Sequence, residues 1–533
     1  MGIQKKREQV KDNTHTILQS VKYFFSGTLI SRVLGFGREV AMAAAFGTDP
    51  AVAAFWMAFR FSHLLRRVLG EGALNIAFIP QFETLRKEDP QKGALFFYQL
   101  LKGMTLLIFV LIVFLEAILG AFFCFGKCSS STLEIVRLTM ILLPTLLFIS
   151  LYALNTSLLN CEQKYFLPSV APSCVNGIWI ITLLFVWQRP SIEALEILAF
   201  TIVFAFALQW FLTFPTVYRF LKKEKLGHQP FNMRALMLLL NPFLLAILGV
   251  VATQINTGID TIFARIADPE GPAILWYAIR IQQLPLALFG VGLTGALLPA
   301  IARAVEVGRR EQFLNFALKK NVTWMIPLTF GLMIFGYATV HLLYGRGAFT
   351  REALGETTRC LWAYGIGLFP MTAVLVLAAS FYAQKNYKIP LLAALATIFL
   401  NLILNSFFVF IYHMGAVSVA LATSISSCLN VFFLSYFISK EGGKVWAGIG
   451  SITIKVVIAS LGASILTLLV GRYGFQDIFW MWIAGKEGGV SFILQGALLG
   501  VEGILFVGSF LLFGRGLKIP GLLDIVERKK ERG

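Results

Sequence analysis

Charged side chains are scarce in this sequence, at 14% of 533 residues, and acids are scarcer still, with 28 Asp and Glu against 46 Lys and Arg. A soluble domain carries about 25% charged residues because its surface must be solvated, so the deficit excludes a soluble globular fold. The chain has only five histidines and six cysteines, without the spacing of a metal or redox site. Cys124 and Cys128 fall near one helix end, where either simple packing or a pairing in an oxidising compartment accounts for them. There is no HExxH, GxSxG, P-loop or Asp-rich metal motif, so a membrane glycosyltransferase or other enzyme finds no support. No hydrophilic stretch is long enough for a separate globular domain.

What is present is apolar: 57% of residues, with a mean hydropathy of +0.75. A bilayer core about 30 Å thick needs roughly 20 apolar residues per helix. The block 104–123 meets that length with one ionisable residue, Glu116. Blocks of this type predict helices at 17–46, 51–82, 94–124, 133–159, 166–188, 193–218, 235–266, 271–302, 313–344, 357–383, 389–412, 415–438, 447–471 and 490–514, about fourteen spans. The start imitates a signal peptide, but Arg32, Arg38 and Glu39 interrupt its apolar run, so it is predicted to be an uncleaved first helix. The net charge of +18 sits mostly in short loops, which argues against nucleic acid as a partner. With these boundaries the N-terminal side holds about 28 Lys and Arg against about 7 opposite. Both termini, the basic loop 219–234 and the tail 515–532 are therefore expected in the cytoplasm.

The chain also repeats itself. Trp56-Met57-Ala58-Phe59-Arg60 recurs as Trp276-Tyr277-Ala278-Ile279-Arg280. A proline follows each arginine, at Pro80 and Pro299, and an acidic-proline turn precedes each motif, Thr48-Asp49-Pro50 and Asp268-Pro269-Glu270. The offset spans six predicted helices, an even number, so the repeat is parallel about an axis along the membrane normal. The expected architecture is an all-α membrane protein of two pseudo-symmetric six-helix lobes around a central cationic cavity. The N-lobe takes 1–222, the C-lobe 223–440, and two further helices with a tail 441–533.

Charges at bilayer depth cost at least roughly 2.5–3.5 kcal/mol each and mark cavities or partners. In the first two spans these are Arg32, Arg38, Glu39, Arg60, His63, Arg66, Arg67 and Glu71; in the second lobe, Arg280 with Asp260 and Arg265. Arg32 and Arg38 are expected on broadly neighbouring faces, and Arg60 and Arg67 on one face. Pairing of Arg38 with Glu39 or Glu71, and of Arg66 or Arg67 with Glu71, would be purely structural, and Arg265 can snorkel from a helix end. Two carboxylates are nevertheless too few to neutralise the set. Guanidinium groups suit bidentate phosphate binding, so an anion-binding cavity is expected. Gly35, Gly37, Gly70, Gly72, Gly290, Gly292 and Gly295 serve either close packing or hinging. Asp260, Asn401, Asn405 and Thr423 offer hard oxygen ligands for a small cation, or bond across helices.

Several segments together resemble one family. Ser31-Arg32-Val33-Leu34-Gly35-Phe36-Gly37-Arg38-Glu39, Leu64 to Ala73 (LLRRVLGEGA) and Ala77-Phe78-Ile79-Pro80 closely resemble the MviN/MurJ lipid II flippases. So do Gly290 to Pro299 (GVGLTGALLP), Leu343 to Thr350 (LYGRGAFT) and Phe381 to Pro390 (FYAQKNYKIP). The resemblance implies the multidrug/oligosaccharidyl-lipid/polysaccharide exporter fold, with two C-terminal helices forming a lipid-tail groove. It implies that essential arginines fall on Arg32, Arg38, Arg66 and Arg280, with Arg67 adjacent and Glu71 an acidic neighbour. A family acid falls on Ala53, with Asp49 four residues earlier. Another falls on Ile279, and a third, in the cation site, on Asn405.

The implied function is a flippase, not an enzyme. It moves lipid II, an undecaprenyl-diphosphate-linked muropeptide, from the cytoplasmic to the periplasmic leaflet by alternating access. Such a protein resides in the bacterial inner membrane among membrane lipids and cell-wall synthesis enzymes. It needs no cofactor beyond a coupling monovalent cation or the membrane potential. Rival functions are flipping of another polyprenyl-diphosphate-linked oligosaccharide and a non-transporting scaffold of cell-wall synthesis.

Overall fold

In the computed structural model, the described residues are 26–69, 73–224, 254–287, 307–384, 386–440, 445–471 and 489–520, with Met237, Val251, Ile301 and Leu522. Every element assigned among them is helical. This is what lipid requires, since a spanning helix satisfies its own backbone hydrogen bonds. The chain divides into two compact units, residues 1–258 and 259–533.

The first unit runs α1 (26–46), α2 (Pro50–Leu69), α3 (Ala73–Glu88), α4 (Pro90–Phe125), α5 (Ser130–Leu142), α6 (Thr145–Cys161), α7 (Phe166–Val170), α8 (Pro172–Val186) and α9 (Ser191–Lys223). The boundary falls within α10 (254–267), and the second unit continues with α11 (Gly271–Pro285), α12 (Val307–Tyr344), α13 (Arg351–Ile366), α14 (Leu368–Ala383), α15 (Lys388–Phe410), α16 (Val417–Lys440), α17 (Ile449–Val470) and α18 (Gly489–Gly516). Among the described residues nine helical segments, two of them joining neighbouring helices, are long and apolar enough to cross a membrane, and a tenth if α13 and α14 form one span. α1 and α2 are long enough, but the arginines and Glu39 keep them from reading as apolar. The predicted helices at 17–46, 51–82, 235–266 and 271–302 fall partly outside the described residues.

Within the first unit, Phe78 and Phe82 of α3 pack on Phe96, Phe97 and Leu100 of α4 and on Leu154 and Leu158 of α6. In the second, Leu318 and Val322 of α12, Phe381 of α14 and Val456 of α17 share a core with Phe506 and Phe510 of α18. The outer face of α4 is the reverse of a soluble surface: Leu106, Phe109, Val110, Phe114 and Ile118 are all about half exposed. Such a face is solvated by acyl chains. Because lipid tails are as apolar as these side chains, helix association gains from close packing and polar contacts, not from apolar burial.

Three expected spans are broken, each for a local reason. Pro144 separates α5 from α6, and Pro172 opens α8 just after the five-residue α7, because proline lacks the N–H a continuous helix needs. The segment 357–383 is two helices meeting at Gly367 with a 41° bend. Ser424 Oγ, which donates to the Ala363 carbonyl at 2.7 Å, closes over that bend. A Cβ at Gly367 would collide with it. Gly367→Ala is therefore expected to destabilise the protein by about 1–3 kcal/mol. Gly355→Ala in α13, where a Cβ meets nothing within 4 Å, should leave stability unchanged or slightly raised. Thermal unfolding of both variants in detergent checks the pair, and equal midpoints would show that the bend does not depend on the missing side chain.

Candidate functional site

The acidic-proline turns of the repeat are helix starts. Asp49 Oδ1 accepts the Ala51 amide at 2.7 Å, and Asp268 Oδ1 accepts the Glu270 amide at 2.8 Å. Asp49 thus satisfies a donor in the first turn of α2 that the helix leaves unpaired, whereas Asp268 closes a side-chain turn just before α11, whose N-cap Glu270 makes no side-chain cap bond. Asp49 has this local task, and Ala53, one turn on, is fully buried.

Arg38 is fastened to α8. Its Nη1 donates to Asn176 Oδ1 at 3.1 Å, its Nη2 pairs with Glu39, and its guanidinium lies 4.5 Å from the Trp179 ring centroid. Asn176 is aligned for this by donating from Nδ2 to the Ser31 carbonyl at 3.1 Å. Trp179 in turn stacks on Trp56, the first residue of the repeated motif, at 5.9 Å and 21°. The charge is thus held by a carboxylate, an amide and an indole face, while Arg38 Nε, buried, finds no partner among the described residues. The pairing with Glu39 follows the structural alternative seen in the sequence.

Arg32 is placed differently. It is exposed on the same helix, beside exposed Leu29, Val33 and Phe36. The expectation of neighbouring faces fails for a geometric reason: six residues at about 100° each leave the two arginines some 120° apart. Arg60 is half-buried on α2 and, like Glu39 and His63, is engaged by other groups. The side chains of Arg66 and Arg67, and Glu71 entirely, lie outside the described residues, as do Pro299 and Gly290 to Gly295. Arg265 is half-buried near the end of α10 and donates to the Pro269 carbonyl, the snorkelling geometry. All six cysteines, Cys124 and Cys128 included, are free thiols.

In the second unit Arg280 is half-buried, 4.2 Å from the Trp276 centroid one turn earlier, with Nη1 3.4 Å from Gln283 Oε1. Stacking a cation on an indole face recovers about 0.5–2 kcal/mol where water is excluded. The four oxygen-bearing residues come together on α10, α15 and α16. Asn405 Nδ2 donates to Asp260 Oδ1 at 3.1 Å and to Asn401 Oδ1 at 2.8 Å. Thr423 Oγ1 donates to Asp260 Oδ2 at 3.1 Å and lies 3.4 Å from Asn401 Nδ2. Asn401 and Asn405 are fully buried, and Asn405 Oδ1 lacks a partner among the described residues.

The sequence reading singles out neither Asn176 nor Trp179; the available signal is a lone Asn in the apolar α8. A second repeat gives them context. Tyr165-Phe166-Leu167-Pro168 before α8 matches Tyr387-Lys388-Ile389-Pro390 at the start of α15. Counted from these prolines, Trp179 and Asn401 occupy the same position. At equivalent places one unit holds a guanidinium and the other a ring of oxygens around a carboxylate.

The sequence profile of the lipid II flippase MurJ family matches residues 42–486, most of the chain. The chain belongs to that family. A probable lipid II flippase MurJ of Chlamydia trachomatis (serovar D) is 32% identical over 535 residues, covering 98% of each chain. That of Chlamydia pneumoniae is 36% identical over 469 residues, covering 86% of this chain and 84% of its own. A solved lipid II flippase MurJ in an inward closed conformation superimposes with a TM-score of 0.73 at 25% identity, covering 93% of this chain and 99% of that one. An inward-facing multidrug resistance MATE family transporter of the MOP superfamily shares the fold, with a TM-score of 0.60 at 14% identity over 77% of this chain and 95% of its own. In this MurJ-family chain, Asn176→Leu removes both the acceptor for Arg38 and the tie to α1. It is expected to cost about 1.5–3 kcal/mol, the range for a hydrogen bond to a charged group. Asn176→Asp, which keeps an acceptor oxygen, should recover much of the loss in thermal unfolding, and a Leu variant as stable as the parent would show that α8 does not hold Arg38.

Proposed function

We infer that this chain is a lipid II flippase, carrying the lipid-linked peptidoglycan precursor across the membrane by alternating access. Family membership over most of the chain carries the inference. The chemistry of the arginines supports it. Lipid II presents a diphosphate, and its polyprenyl tail can stay in the hydrocarbon while the polar head crosses. Arg32, which has no partner among the described residues, can engage phosphate oxygens directly. Arg280, half-buried against Trp276, and Arg38, held beside Trp179, are the further guanidinium groups of the set. Arg60, Arg66, Arg67 and Glu71 complete the proposed substrate set. Arginine suits this task because its fork of donors matches phosphate geometry. Translocation makes and breaks no covalent bond, so no catalytic residue is assigned.

The loop charge asymmetry supports placement in a bacterial cytoplasmic membrane with both termini inside. The head group would then be delivered to the side where cell-wall synthesis enzymes use it. A membrane potential of about 100 mV is worth about 2.3 kcal/mol per charge carried across, enough to bias a two-state cycle. The Asp260, Asn401, Asn405 and Thr423 group is the proposed seat of a coupling monovalent cation. Rotation of the Asn405 amide would add its orphan Oδ1 to a set of hard oxygens. Asp260→Asn removes the negative charge from that set. It should abolish any rise in thermal unfolding temperature produced by sodium or lithium over an equal concentration of choline. Retention of the rise would place the cation elsewhere.

The flippase assignment is tested by complementing a bacterium depleted of its own lipid II flippase. The wild-type chain should restore growth, and Arg280→Ala or Arg32→Ala, at equal membrane expression, should lower growth rescue to background. Rescue by both arginine variants would favour a scaffold over a transporter. Failure of a well-expressed wild type, together with no binding of lipid II to the purified protein, would point to another polyprenyl-diphosphate-linked oligosaccharide.

A further inference from the structure

Away from the arginines of α1 and α2, the first unit carries a cavity of about 310 Å³ at the end of α6. Gln163, Lys164, Tyr165 and Thr216 contribute its polar groups, and Leu159 and Phe166 its apolar wall. The turn that forms it is well defined. Gln163 takes a left-handed φ of 57°, and the Lys164 amide reaches back to the Leu159 carbonyl at 2.9 Å. This closes the C-terminal turn of α6 and turns the Gln163 and Lys164 side chains outward, both exposed. The Tyr152 hydroxyl donates to the Pro168 carbonyl and fastens the following helix α7.

The charge around this cavity is one-sided. Glu162 is taken up by Arg86 at 2.8 Å, and Arg86 also holds Glu83 at 2.8 Å. On α9, Arg219 and Lys223 follow Thr216 by three and seven residues, which places them on its face of the helix. Lys164, Arg219 and Lys223 have no ion-pair partner among the described residues. The cavity thus lies where an apolar helix surface passes into a cationic rim, with Phe166 and Tyr218 exposed at the boundary. A boundary between apolar and cationic surface is where a phospholipid carries its phosphate.

We propose that this cavity binds the headgroup phosphate of an anionic phospholipid, with its acyl chains descending along Phe166 and the neighbouring apolar surface. A phosphodiester supplies the negative charge that the three cations lack, and basic pockets at helix ends bind such headgroups. Lys164 pairs with the phosphate, and Thr216 and Tyr165 offer hydroxyl donors to its oxygens. A zwitterionic phosphatidylethanolamine brings its own ammonium against the same cations and is disfavoured. The proposal rests on the membrane reading of the helices, not on the flippase reading.

Native mass spectrometry of the full chain in detergent, titrated with phosphatidylglycerol, tests it. One molecule should bind with preference over phosphatidylethanolamine, and Lys164→Glu should weaken that binding about tenfold or more, as reversal of a charge near the headgroup implies. Thr216→Val, nearly isosteric, should weaken it less while leaving the thermal midpoint unchanged, which separates lost binding from lost folding. Lys440→Glu, at a helix end in the second unit, should leave it intact. Equal binding by the Lys164→Glu variant, equal affinity for phosphatidylethanolamine, or full displacement by millimolar inorganic phosphate would each overturn the assignment.

Discussion

A charge held at the depth of lipid hydrocarbon costs several kcal/mol unless it is paired, stacked or wetted. The rest of this structure depends on how that cost is met. Arg38 meets it with Glu39, Asn176 and the face of Trp179. Asp260 meets it with three neutral side chains in a ring of hydrogen bonds. Arg280 leans on Trp276, with Nη1 3.4 Å from Gln283 Oε1.

The two units spend their equivalent positions in opposite ways. Counted from the matching Tyr-x-x-Pro segments, the unit that contains Trp179 has a tethered cation beside it. The unit that contains Asn401 has a carboxylate among oxygens at the same place. A duplicated scaffold has therefore kept an acidic turn before each helix, at Asp49 and Asp268, while the polar cluster built on it has diverged in sign. A guanidinium that belongs to the chain cannot leave, whereas an oxygen cluster can take up and release an ion.

Lipid as solvent also explains the irregular helices. Pro144, Pro172 and Gly367 interrupt spans that hydropathy shows as continuous. Each break frees backbone groups that water cannot reach, so it persists only where neighbours cover it. At Gly367 the cover is Ser424, close enough to exclude any side chain. Large apolar residues meanwhile face outward along α4, where acyl chains receive them.

The sequence alone determined the class of protein, most helix positions, the repeat and the residues whose charge needs explaining. These are legible because hydropathy, charge scarcity and motif spacing are local properties of the chain. Even the oxygen cluster of Asp260, Asn401, Asn405 and Thr423 could be read, since each is a polar residue in an apolar helix. Helix breaks inside apolar runs could not, because Gly367 and Pro144 leave hydropathy nearly unchanged. Only the tertiary structure decided which arginine is held and which is open. Arg32 and Arg38 are alike in sequence context, but their fates depend on Asn176 and Trp179, more than 130 residues away, and on the 120° that six residues of helix turn between them.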